Sequence, residues 1–72
     1  MISITLAQIR GARELLEWSR HDLAKAAGSI SERTLGRLES GEGAPHDAMM
    51  VAIRDSLEAA GISFFQDGMR FR

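Results

Sequence analysis

The chain of 72 residues has no cysteine, no tyrosine and a single proline, and its only aromatic residues are Trp18, Phe64, Phe65 and Phe71. Without cysteine there is no disulfide, no thiolate metal ligand and no thiol nucleophile. No apolar run approaches the roughly 18 residues a membrane-crossing helix needs. Residues 1–6 lack a basic segment followed by a long apolar one, so no signal peptide is expected. These absences predict a cytoplasmic protein with no membrane partner. Charge of one sign is lacking too: nine basic residues face ten acidic ones, for a net charge of −1. That balance argues against holding nucleic acid by bulk electrostatics. Residues 1–72 are long enough for one domain, which at this size buries only about 60% of its unfolded surface. Apolar burial, from a chain that is 44% hydrophobic, must carry the stability.

What the chain does have is a series of helix starts. Thr5 and Gln8 have capping-box spacing, and Ile9, Ala12, Leu15 and Leu16 follow at helical intervals, predicting a first helix over about 6–17. Ser19 and Asp22 repeat the box, and Gly28 ends a short second helix over about 20–27. Ser31 caps a third helix over about 32–39, with Leu35 and Leu38 on one face. Glu32, Arg33, Gly36 and Arg37 fall on others. Residues 42–46 form a loop. A fourth helix over about 47–60 follows, with Met50, Ile53, Leu57 and Ala60 as its apolar stripe.

The tail reads as a β-hairpin. Asp67-Gly68 is a type I′ turn signal, and a loop there pairs Gln66 with Met69 and Phe64 with Phe71. Ile62, Phe64, Met69 and Phe71 then share a face that must pack on the helices or on another chain. Ile2, Ile4 and Leu6 alternate as well, so a short N-terminal strand over residues 1–5 is a further candidate. The expected fold is mainly α: four helices over 6–60 with a C-terminal β-hairpin over 61–72.

Two short helices joined by a glycine-containing turn make a helix-turn-helix. The run Leu23-Ala24-Lys25-Ala26-Ala27-Gly28, followed by Ser31-Glu32-Arg33-Thr34-Leu35-Gly36-Arg37-Leu38-Glu39-Ser40-Gly41, resembles the Cro/C1-type (XRE) helix-turn-helix family of bacterial and phage regulators. The likeness spans about residues 6–60. It departs at the turn, which in the family is usually one residue shorter. Ser29 reads as an insertion, with Ile30 as the hydrophobic plug.

The resemblance implies double-stranded DNA as the partner. The third helix would lie in the major groove, with Glu32, Arg33, Gly36 and Arg37 as candidates for contact with base edges. Arg33 and Arg37 are one turn apart, and each can pair with guanine; on an arbitrary helix they would be a solvated face. Gly36 would let a phosphate or sugar come near. Ser19, Arg20, Lys25 and Ser31 are candidates for phosphate contact. The family's ion pair between the first helix and the end of the third falls on Arg13 and Glu39 and would be structural. The six basic and five acidic side chains of residues 1–41 leave the motif half slightly positive, against three and five in residues 42–72.

The expected function is therefore a sequence-specific transcriptional regulator, a repressor acting as a homodimer, with no cofactor and no metal; the C-terminal hairpin is either a lid over the apolar stripe of the fourth helix or the dimer interface. The alternative is a protein-interaction module, such as an antitoxin-like partner that binds another protein with its apolar hairpin. An enzyme is not expected. Ser19, His21 and Asp22 are adjacent at one helix start, which points their side chains apart. His21 and His46 lack a third strong ligand at helical spacing.

Overall fold

Each of the first three helices begins where a hydroxyl side chain accepts a bond from an otherwise free backbone amide. The structure, a computed structural model, describes residues 4–28, 30–42, 47–66 and 68–72. Its elements are α1 (Leu6–Leu15), α2 (Arg20–Ala27), α3 (Glu32–Glu39), α4 (Asp47–Ala59), β1 (Ile62–Phe65) and β2 (Gly68–Phe71). At α1 the Gln8 amide donates to Thr5 Oγ1 and the Thr5 amide donates back to Gln8 Oε1. Ser19 and Asp22 repeat this reciprocal box at α2, and Ser31 Oγ accepts from the Thr34 amide at α3. Such caps satisfy amides that have no intrahelical partner.

α1 ends two residues before the predicted Glu17. Glu17 takes a left-handed conformation, φ +58°. Its amide then donates to the Glu14 carbonyl and the Trp18 amide to the Arg13 carbonyl, at 3.0 and 2.9 Å. This is a Schellman closure, usually built on glycine. α3 closes the same way with Gly41 at φ +81°, its amide on the Leu38 carbonyl and the Glu42 amide on the Arg37 carbonyl. No glycine in the sequence marks the early end of α1.

Ile9, Leu23, Leu35, Ile53, Leu57 and Ile62 are fully buried and draw every element except β2 into one hydrophobic cluster. α1 packs on α3, α4 and β2; α2 packs on α3 and α4; α4 packs on β1. Ile30 is buried in this cluster, and Trp18, Ala24 and Met50 pack against it. Leu15, placed by the sequence on the core stripe of α1, is instead 41% exposed. Six residues after Ile9, it is turned about 120° away round a helix of 3.6 residues per turn; Ala12 and Leu16 keep the stripe.

The hairpin forms with a different register from that expected. Phe64 pairs with Met69, Ile62 with Phe71, Ser63 with Arg70 and Phe65 with Gly68. The turn therefore falls between Phe65 and Gly68, and not between Gln66 and Met69 as expected. Gln8 supplies the reason: its buried Nε2 donates to the carbonyls of Phe65 and Gly68, the residues on either side of that loop, at 2.6 and 2.9 Å. Because the loop moves by one position at both ends, side-chain parity survives. Ile62 and Phe64 are buried, and Met69 is half-buried, with its terminal methyl 2.9 Å from where a Cβ on Gly11 would lie. Phe71, at the open end, stays 51% exposed.

The described sheet has two strands, and Ile4 and Thr5 belong to neither. Residues 1–3 of the expected N-terminal strand, Ser29 of the expected longer turn, residues 43–46 of the expected loop and Asp67 of the expected hairpin turn lie outside the described residues.

Candidate nucleic-acid interface

α2 and α3 are held at a fixed angle by Leu23, Leu35 and Leu38, which turn inward to the core. The opposite side of α3 is then left to water. Ser31, Glu32, Arg33, Gly36, Arg37 and Ser40 line an open concavity there with Arg20 and Glu42. The candidates Glu32, Arg33, Gly36 and Arg37 thus share one surface with Arg20 and Ser31. Lys25 is exposed on the last turn of α2 and is not among the lining residues.

The cations differ in what they touch. Arg10 pairs with Glu14, Arg13 and Arg20 with Glu39, and Arg54 with Asp55 and Glu58. Among the described residues no carboxylate pairs with Arg33 or Arg37, so their guanidinium N–H groups are open to solvent and to a ligand. A planar guanidinium with its donors in a fork suits two-point bonding to a phosphate or to guanine.

Glu39, the last residue of α3, is a buried acid. Its side chain is 3% exposed. Arg13 donates Nε to Oε2 and Nη2 to Oε1, both at 3.0 Å, and a third N–H, on Nη1, to the Trp18 carbonyl at 2.8 Å. One guanidinium therefore ties α1 to the start of α2 and the end of α3. Arg20 adds a longer bond from Nε to Glu39 Oε1 at 3.4 Å.

The two candidate serines, Ser19 and Ser31, are already engaged as caps. Ser19 Oγ accepts from the Asp22 amide. Ser31 Oγ accepts from the Thr34 amide and gives its own hydrogen to Thr34 Oγ1 at 2.8 Å. The Ser19 amide and hydroxyl beside Asp22 hold its carboxyl below the usual 3.8. Ser19, His21 and Asp22 do not converge on a common point: the first and third close the box, while His21 Nδ1 lies 3.5 Å from Glu32 Oε2 on α3.

Two contacts escaped sequence reasoning. His21 and Glu32 sit at the starts of different helices, and no periodicity links them. Arg20 lies along Gly36: a Cβ there would be 3.5 Å from Arg20 Nη1 and 3.9 Å from its Cδ and Cζ. The near neighbour of Gly36 in the structure is thus a side chain of the protein itself. A glycine in mid-helix, costing about 1 kcal/mol against alanine, was the available signal of some close approach.

No helix among the described residues is long and apolar enough to cross a membrane. A family profile described as helix-turn-helix matches residues 9–63, from within α1 to within β1. No curated protein matches the chain.

Proposed function

The chain belongs to the Cro/C1-type helix-turn-helix family of DNA-binding regulators, and from that premise we propose that it is a sequence-specific transcriptional repressor reading the major groove with α3. The observation that carries the reading is the outward pair Arg33 and Arg37, which no carboxylate holds among the described residues. Each can donate two bonds to guanine O6 and N7, worth about 1–3 kcal/mol of discrimination. Glu32 can accept from cytosine N4 or discourage a phosphate. Arg20 is the principal phosphate contact, with the Ser19 hydroxyl and Lys25 as lesser ones; Ser31 contributes mainly as the cap that fixes the start of α3. Repression follows from occupying a site that another DNA-binding protein needs, in the cytoplasm, with no cofactor.

The near-zero net charge fits a dimer better than a monomer, since one copy offers few phosphate contacts. The C-terminal hairpin is the surface for the second copy. Phe71 and Phe65 are 51% and 38% exposed, and Arg70 lies 4.8 Å from the centre of the Phe65 ring. An isologous dimer sets two α3 helices about 34 Å apart, one turn of DNA.

The experiment is selection of duplexes from a random pool. The expected product is a palindrome with guanine in half-sites about 10 base pairs apart. A pool without enrichment contradicts the reading. The same exposed phenylalanines favour the protein-interaction module as a second reading: in that case a protein partner binds the hairpin, no sequence is enriched, and Phe65→Ser with Phe71→Ser abolishes partner binding.

A further inference from the structure

We propose that Gly36 is the track that holds Arg20 against α3, and that Glu39 is a positioning residue for this phosphate anchor. The inference rests on the DNA-binding reading above. Arg20 is the first residue of α2, yet its side chain crosses to α3. Its stem and its guanidinium both pass over one residue: Cδ and Cζ lie 3.9 Å, and Nη1 3.5 Å, from a Cβ built on Gly36. A methyl there is in ordinary contact. Any larger group occupies the path.

Between Cδ and Cζ on that path, Nε donates to Glu39 Oε1. Glu39 is already bonded through both oxygens to Arg13, with closer contacts than Arg20 makes. One buried carboxylate thus holds two arginines. The cluster carries a net positive charge, and it surfaces on Arg20, which is 49% exposed against 3% for Glu39. Arg20 stands with Arg33 and Arg37 on the rim of the same concavity. Its Nε is engaged and its Nη groups keep donors for a phosphate oxygen. Ordering this long side chain before DNA arrives lowers the entropy cost of the contact. Gly36 accordingly acts through Arg20 and not as a place where DNA meets bare helix backbone.

The test is a thermodynamic cycle on a selected duplex, with affinity followed against salt. Arg20→Ala is expected to lower the slope of log affinity against log salt by about one unit, the loss of one phosphate contact. Gly36→Val should lose about as much, and the double variant no more than Arg20→Ala alone. Gly36→Ala should keep the parental slope. Glu39→Gln removes a negative charge, which by itself favours DNA. Loss of position should nevertheless weaken binding and leave it insensitive to Arg20→Ala. Should Gly36→Val fail to fold, Gly36→Ser takes its place in the cycle.

The proposal is overturned if Gly36→Val weakens binding by the same factor with and without Arg20, or if Glu39→Gln binds more tightly. Failure of the underlying reading looks different: the parent binds no selected duplex, or Arg33→Ala with Arg37→Ala leaves binding unchanged.

Discussion

Arg13 and Glu39 are separated by 26 residues in sequence and meet through two hydrogen bonds of 3.0 Å, the fork of the guanidinium lying against the two carboxylate oxygens. The bond from Arg13 to the Trp18 carbonyl extends this join to the loop before α2. Removing one partner of a buried pair leaves the other charge uncompensated, which costs more than the pair contributes. Arg13→Ala should therefore destabilise the protein by about 3 kcal/mol, near the lower end for buried pairs because Arg20 still reaches Glu39. Replacing both residues, Arg13→Met with Glu39→Leu, should cost much less. Urea unfolding of the three proteins measures the difference.

Gln8 makes a sharper prediction, because its amide faces two carbonyls and one N–H. Gln8→Ala should cost about 2–3 kcal/mol, leaving the carbonyls of Phe65 and Gly68 without their donor. Gln8→Glu should cost more at neutral pH, since a carboxylate then faces two carbonyl oxygens. It should recover part of the loss on acidification, when the carboxyl can donate. Thermal melts at pH 7 and pH 4 separate the two variants.

Glu17 occupies a left-handed position at φ +58°, where a side chain is strained by about 1–2 kcal/mol. Gly41 fills the equivalent place after α3 without that strain. Glu17→Gly should stabilise the protein by about 0.5–1 kcal/mol, after the greater chain freedom of glycine is subtracted. Calorimetry should show Tm rising by about 4–8 °C per kcal/mol for a domain of this size.

Acid stability follows from the box at α2. Asp22 is held below 3.8 when folded, first by the Ser19 amide and then by its hydroxyl. Its contribution is present above the unfolded value and is lost as pH falls through the lower, folded one. Asp22→Asn should flatten the pH dependence of stability below about pH 4 and leave its shape near neutrality unchanged. Chemical denaturation across that range is the check.

The parts of the fold legible in the sequence are those set by neighbours. Thr5 with Gln8, Ser19 with Asp22, and Ser31 before α3 each act within one turn, so the helix starts could be read directly. The end of α1 could not, because Glu17 stands where the closure normally has glycine. The hairpin register departs from the strong local signal of Asp67-Gly68, which Gln8 overrides from 57 and 60 residues away. The site divides the same way. The outward face of α3 follows from the inward spacing of Leu35 and Leu38. The pairing of Arg13 with Glu39 came from family resemblance, since no periodicity connects them. The passage of Arg20 over Gly36 depends on how two helices approach, and no spacing encodes it.

Whether Arg33 and Arg37 read DNA from the outward face of α3 is decided by the affinity of Arg33→Ala with Arg37→Ala for a selected duplex. Loss of two guanine contacts at about 1–3 kcal/mol each should weaken binding by roughly thirtyfold or more and relax the preference for guanine at the matching positions, with Tm unchanged. Undiminished affinity and unchanged sequence preference in a folded double variant would show that these arginines do not read DNA.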